Sequence, residues 1–385
     1  MIASLLDTDL YKFTMMQVVW GRYPQAQAEY KFQCRSTDTD LTPFATKIRA
    51  ELDKLAGLRL QPDEAVFLRS IRYIRPEFVD FLESFRLDPS LIEIYTKDGF
   101  ELRIRGPWLA SILFEVPVLA TINEIWSRHH FPLTTERETE GLRRLEGKIQ
   151  QLSSASVPVR VMEFGTRRRY SQAWQERVVE QLAPHLIGTS NVHLAHKFGL
   201  KPFGTMAHEF LQAGQALAPL LNSQRFMLEE WMQFYRGDLG IALSDVFGFD
   251  AFLNDFDRLF AKAYDGCRHD SGDPAVWGEK LLAHYESLGV DPRHKTAVFS
   301  DGLSIPKAIA LAERFDTRIR TIFGIGTDLT NDLGEKALQI VLKLVRLNNQ
   351  PVVKLSDSPG KAMTDDAGYL EYVRATFAAG VRRNS

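Results

Sequence analysis

A chain of 385 residues, 45% hydrophobic and 25% charged, is long enough for a large buried core and for more than one domain. Its formal net charge of -2 gives no general attraction to nucleic acid or to an anionic membrane, so an anionic ligand needs local basic residues. The two cysteines, Cys34 and Cys267, are too few for a disulfide framework and read as small core residues in a reducing cytoplasm.

From the N-terminus, acids at Asp7 and Asp9 follow almost at once, with no basic leader, so no signal peptide is expected. No unbroken apolar run of about eighteen residues occurs, and no membrane span is expected either. Residues 9–22 read as a helix entered through an Asp-Thr-Asp cap region, and 29–35 as a strand. Apolar residues at helical spacing recur over 76–87, 117–130 and 134–152. The runs 92–96 and 100–105 flank Lys97-Asp98-Gly99, a hairpin signal. These parts make an N-terminal α+β domain over 1–155.

After Pro158 short strand-like runs at 159–164, 185–187, 201–203, 240–243, 263–268, 296–299 and 319–323 alternate with amphipathic helices. That alternation predicts a parallel α/β protein. A doubly wound sheet fits the pattern, but the number of successive units favours an incomplete, irregular TIM-like α/β barrel over 156–335. Strands at 340–346 and 351–354, with a helix near 369–378, are expected to return over 336–385 to the first domain.

The residues just beyond each strand carry the chemistry, because in a barrel those ends share one face. Gly165-Thr166-Arg167-Arg168-Arg169 offers guanidinium forks for phosphate or carboxylate, with Arg167 placed to face inward. Basic residues at a helix N-terminus oppose the macrodipole, which favours an anion bound there over a merely solvated basic turn. Gly324-Ile325-Gly326-Thr327 resembles a phosphate cradle, where Gly allows close backbone approach. In Ser300-Asp301-Gly302 the carboxylate either accepts from ribose hydroxyls or caps the helix that Ser304 and Pro306 announce. Arg268 and Asp270 combine a cation and a carboxylate suited to ribose, Mg²⁺-phosphate or a developing positive charge, whereas Asp273, followed by Pro274, reads as a helix cap. His208, in Gly204-Thr205-Met206-Ala207-His208-Glu209, is either a structural histidine or an acid/base or nucleophile toward phosphorus. The nine histidines show no zinc spacing.

Taken in order, the stretches LLDTDLYKFTM, EFGTRRRYS, GTSNVHLA, GTMAHEF, NSQR, RHDSGDP, VFSDGL, FGIGT and KLSDSPGK resemble the nicotinate phosphoribosyltransferases over essentially the whole chain. The resemblance implies transfer of phosphoribosyl from phosphoribosyl pyrophosphate (PRPP) to nicotinate, giving the mononucleotide and pyrophosphate, in the salvage route to NAD. It also implies Mg²⁺, and ATP hydrolysis coupled through a transient phosphohistidine at His208. Similarity to nicotinamide-using relatives puts the pyridine ring between Phe164 and a Tyr11 supplied by a neighbouring subunit, hence a homodimer with shared sites. Arg167 and Arg268 would meet the base and anionic substrate, Asp245 and Asp270 the Mg²⁺-pyrophosphate, and Ser300, Asp301, Gly302, Gly326 and Thr327 the ribose and 5′-phosphate. Thr189, Ser190 and Asn191 would line the base.

Where nicotinamide-using relatives carry an Asp that accepts from the amide, this chain has Ser190, whose hydroxyl can donate to a carboxylate. That argues against a nicotinamide enzyme. The His208 segment argues against a quinolinate enzyme, which uses no ATP. A non-catalytic nucleotide-binding protein would need the anion loops but neither a nucleophilic His208 nor a stacking Tyr11. The roles of NSQR and KLSDSPGK stay open: Lys354 and Lys361 either touch ATP or face solvent.

Overall fold

The computed structural model describes residues 1–355, 357 and 362–383, with side chains described to residue 378. The chain forms two compact units: 1–155, 161–204 and 325–343 make the first, and 156–160, 205–324 and 344 onward the second.

In the first unit, helix Leu10–Arg22 is buried at every position from Leu10 to Val19, including the polar Lys12, Thr14 and Gln17. Strands β1 (Gln27–Cys34), β2 (Ile92–Tyr95) and β3 (Glu101–Pro107) form an antiparallel sheet with β3 in the centre. Ile92 faces Ile104 and Ile94 faces Leu102, which fixes the apolar face. The β2–β3 turn uses Gly99 at φ +102°, a conformation that favours glycine. Helix Thr135–Ser153 begins at Thr134, whose hydroxyl accepts from the Arg137 N–H. By length and composition alone the helical stretch Trp108–His130 is apolar enough to cross a membrane. Polar Glu115, Asn123 and Glu124 break the unbroken run in sequence, and 83% of the apolar window is buried in the fold, as in a core helix. Strands β4 (Val161–Glu163) and β5 (Leu186–Thr189) pair in parallel, joined through helix Gln172–Leu182.

The second unit carries β6 (Ile241–Leu243), β7 (Gly266–His269), β8 (Thr296–Phe299) and β9 (Arg320–Ile325). Each pairs in parallel with the next, with Cys267 beside Ala242 and Ala297, and Phe299 beside Phe323. Helices Pro274–Ser287 and Ile305–Phe315 connect them, and neighbours in sequential order are the pattern of a barrel wall. The fold is α/β, with parallel strands and a separate antiparallel sheet. Strand β10 (Ile340–Leu347) turns through Asn348 and Asn349, both at positive φ, into the two-residue β11 (Gln350–Pro351). Both cysteines are free, and burial pushes the Cys267 thiol up to about 12.

Three expected strands differ. At 201–203 only a single bridge forms, Thr189 with Pro202, because Pro202 has no N–H to extend a ladder. The strand expected from residue 263 starts at Gly266, because Ala263 closes helix Arg258–Ala263. At 351–354 the strand stops at Pro351, and Lys354 forms a lone bridge to Met363.

Candidate active site

In the second unit, β6 ends in Ser244-Asp245 and β7 in His269-Asp270, while His208 opens helix His208–Leu217. The topology brings these side chains together. His208 Nε2 lies 2.8 Å from Asp245 Oδ1 and 3.4 Å from Asp270 Oδ2. Lys354 Nζ lies 2.7 Å from the same Nε2 and 2.6 Å from Asp245 Oδ2, and the Ser271 hydroxyl donates to that carboxylate oxygen at 2.6 Å. One nitrogen thus meets an acceptor and a cationic donor. Protonated, Nε2 donates to Asp245; unprotonated, it accepts from Lys354 and its lone pair is basic.

Burial lowers the His208 pKa, the Lys354 charge lowers it further, and Asp245 opposes both. Burial alone would raise Asp245, but His208 and Lys354 outweigh it and hold the carboxyl well below its usual range. Asp270 is lowered too: His208 and Arg268 outweigh its burial. A buried, neutral imidazole with a lone pair between an anion and a cation has the features of a nucleophile toward phosphorus. The ligand atoms of His208, Asp245 and Asp270 lie within 4.8 Å of one another, and the two carboxylates are the hard oxygen donors that Mg²⁺ selects.

Around this cluster, the Ser300 hydroxyl sits 3.0 Å from Asp270 Oδ1 and 3.0 Å from the His269 carbonyl. Gly302 adopts φ +58°, and the helix after it takes Ser304, not Asp301, as its N-cap residue. Arg268 has a buried Nε without a hydrogen-bond partner among the described residues. Asp273 is the cap it was predicted to be, accepting from the Val276 N–H at 2.8 Å. The NSQR stretch is framework: Ser223 opens helix Ser223–Tyr235, and Arg225 pairs with Asp257 at 2.9 Å. Lys361 lies outside the described residues.

In the first unit, the three arginines after β4 go three ways. Arg169 is fully buried and grips Asp7 with two 2.8 Å bonds, and Arg168 donates to the Gln339 side chain. Arg167, 42% exposed, lies 3.3 Å from Glu115, which also holds buried Lys12 at 2.6 Å. Arg167 and Arg168 are both part-exposed, and only Arg169 of the three is fully buried. Glu115 is held down by Lys12 and Arg167, which outweigh its burial. Ser190 donates to Asp9 Oδ1 at 2.7 Å. Thr189 donates to Glu163 at 2.6 Å, while Asn191 caps helix Val192–Phe198 and donates to Asp7 at 2.8 Å. Thr189 and Asn191 therefore have framework partners. Phe164 donates its N–H to Ile325 at 2.8 Å, and a Cβ on Gly326 would stand 3.0 Å from the Phe164 carbonyl, so Gly326 permits that approach. Tyr11 is buried, with Lys12 Nζ 5.7 Å from its ring centroid, and Thr327 begins the short helix Thr327–Thr330.

In sequence Asp7 and Asp9 read only as a cap region and Ser271 as one hydroxyl of the RHDSGDP stretch, while Lys12, Glu115 and Glu163 carry no signal beyond being charged residues beside apolar ones.

Residues 159–381 match the nicotinate phosphoribosyltransferase (NAPRTase) family, and residues 6–123 match the NAPRTase N-terminal domain. The nicotinate phosphoribosyltransferase of Cupriavidus necator is 54% identical over 98% of each chain, and that of Xanthomonas euvesicatoria 55% over 98% of this chain and 97% of the other. The chain belongs to the nicotinate phosphoribosyltransferase family. In three dimensions it is similar to the nicotinate phosphoribosyltransferase of Vibrio cholerae, with TM-score 0.93 and 36% identity over 100% of this chain and 96% of that one. A putative nicotinate phosphoribosyltransferase from Saccharomyces cerevisiae matches with TM-score 0.87 and 28% identity, covering 98% of both chains. Family membership makes the chain an enzyme.

Proposed function

We propose that the chain transfers phosphoribosyl from PRPP to nicotinate, releasing pyrophosphate and mononucleotide for NAD salvage, with ATP hydrolysis coupled through phosphorylated His208. The observation that carries the coupling is the His208 imidazole held between Asp245 at 2.8 Å and Lys354 at 2.7 Å. Its Nε2 lone pair attacks the terminal phosphorus of ATP, ADP leaves, and Lys354 faces the charge that builds on the transferred group. In the glycosyl step the ring nitrogen of nicotinate attacks C1 as the bond to pyrophosphate breaks. Positive charge then develops on the ribose, so Asp270 and Asp301 near the sugar help, and Arg268 steadies the anionic donor. Mg²⁺ held by Asp245 and Asp270 would screen the leaving pyrophosphate. Ser300, Gly302, Gly326 and Thr327 hold ribose and 5′-phosphate.

Phe164, Arg167 and Ser190 receive the base, with Tyr11 of a neighbouring subunit stacking on it in a homodimer. The two free cysteines are in keeping with a cytoplasmic setting. Protein mixed with nicotinate, PRPP and Mg²⁺, with and without ATP, should form mononucleotide faster with ATP and release ADP. His208→Asn should abolish ADP release linked to product while slower, ATP-independent transfer persists. Coupling that survives the substitution would refute the phosphohistidine.

A further inference from the structure

Asp9 stands at the N-cap position of helix Leu10–Arg22, yet its side chain makes no cap hydrogen bond. An acid there ordinarily takes a free N–H of the first turn. Its carboxylate instead accepts the Ser190 hydroxyl at 2.7 Å, and both residues are buried. The Ser190 proton is therefore directed at Asp9, away from any carboxylate on a bound base.

The groups facing Asp9 come from several elements. Arg167 and Thr166 approach from the turn after β4, Glu115 from helix Glu115–His130, Ser190 from the end of β5, and Glu163 from β4 itself. Lys12, on the helix Asp9 precedes, neutralises Glu115. Asp9, Glu115 and Glu163 face only Lys12 and Arg167 within this set, so it already carries one excess negative charge above the Glu163 pKa of about 6, and an arriving carboxylate adds a second. Such an excess costs several kcal/mol in a low-dielectric site unless a proton or cation accompanies it. The two carboxylates answer differently. Burial raises Asp9 against the pull of Arg167 and Ser190, with Glu115 adding to the rise, whereas Glu115 itself is lowered. Burial raises Glu163 as well, but of the three carboxylates it is Asp9 that accepts the Ser190 hydroxyl, so a proton on Asp9 is the one that frees Ser190.

We propose that Asp9 is a specificity-determining group: it takes a proton from solvent as the carboxylate of the base arrives, keeps it, and donates a hydrogen bond from it to the Ser190 oxygen. The Ser190 hydroxyl, relieved of its acceptor, turns its own proton to the substrate. One O–H bond forms on Asp9 with a proton from solvent, and no other bond changes. A neutral amide brings no charge, draws no proton and meets a Ser190 still committed to Asp9, so the device selects acid over amide. The inference rests on the reading that Arg167 and Ser190 meet the base.

The test is kcat/KM for nicotinate from about pH 7 to 9.5. Wild type should lose about tenfold per pH unit on the alkaline side, as one required proton dictates. Asp9→Asn should flatten that limb. Ser190→Ala should keep the limb but lower nicotinate kcat/KM about tenfold, the size of one lost hydrogen bond. A flat wild-type profile, or an unchanged limb in Asp9→Asn, overturns the proposal. If Asp9→Asn does not fold, wild type titrated calorimetrically with nicotinate in buffers of different ionisation enthalpy should take up about one proton. Nicotinamide should take up none, and equal uptake for the two overturns the proposal. If Arg167→Ala and Ser190→Ala both leave nicotinate kcat/KM unchanged, it is the base-pocket reading that fails.

Discussion

Arg169 and Lys354 are both buried cations set against a carboxylate, but their surroundings differ. Arg169 donates twice to Asp7 at 2.8 Å, to the Met1 carbonyl at 2.8 Å and to Gln175 at 3.0 Å. Asp7 in turn accepts from Asn191, while Gln175 and Asn191 each donate to the Thr166 hydroxyl as well. Lys354 shares Asp245 with Ser271 and shares His208 Nε2 with Asp245. In the first set each terminal nitrogen of the guanidinium has its acceptors, with only the Arg169 Nε left without one among the described residues, and the set holds the N-terminal segment to the turn after β4. The second has more claims than one imidazole nitrogen can meet, so a proton or a phosphoryl group can redistribute them. Completeness marks framework, and contested acceptors mark chemistry.

The sharpest way to break that distinction is Asp7→Ala. It leaves the Arg169 guanidinium buried without its anion, which costs about 3–5 kcal/mol. Chemical denaturation should show a loss of that size, with whatever enzyme stays folded retaining its ATP coupling. Stability close to wild type would mean that the complete set is not framework. Lys354→Met should reverse the pattern. Phosphoenzyme formed from labelled ATP should fall about tenfold or more, for loss of a buried charge beside the transferred group. The midpoint of denaturation should move less than in Asp7→Ala. Undiminished labelling would return Lys354 to the framework class.

The same contrast explains what could be read from sequence. The strand at 296–299 was legible to the residue, because its apolar run ends sharply at Lys295 and Ser300. The Asp273 cap was legible because Asp-Pro is a local signal. His208, Asp245 and Asp270 each follow or precede a regular element, so reading the ends of elements found them. Pairing was not legible. Asp7 and Arg169 are 162 residues apart, and Lys354 and His208 are 146 apart, and no periodicity links such positions. Sequence singled out Arg167 among the three adjacent arginines, but only the partners show that Arg169 is buried on Asp7 while Arg167 is half-exposed beside Glu115.

Glu163 sits between the two classes and gives the smallest expected effect. Its carboxylate accepts from the Gly165 N–H, from Thr189 at 2.6 Å and from Gln175 at 3.0 Å, so its lone pairs are well served. Burial still pushes its pKa up from 4.5 to about 6, outweighing the hydrogen bonds it accepts, with the nearby Asp9 charge adding to the rise. A carboxyl whose folded pKa is raised binds its proton more tightly in the native state. Between 4.5 and about 6 the folded chain holds more protons than the unfolded one, so this group's contribution to stability falls as pH rises through that window. The difference of about 1.5 corresponds to about 2 kcal/mol, fully lost above the folded value. Glu163→Gln, which cannot ionise, should remove that decline. Denaturant midpoints taken from pH 4.5 to 7 should fall less in Glu163→Gln than in wild type. Parallel profiles would show that the hydrogen bonds from Gly165, Thr189 and Gln175 already offset burial, which would make Glu163 as complete a piece of framework as Asp7.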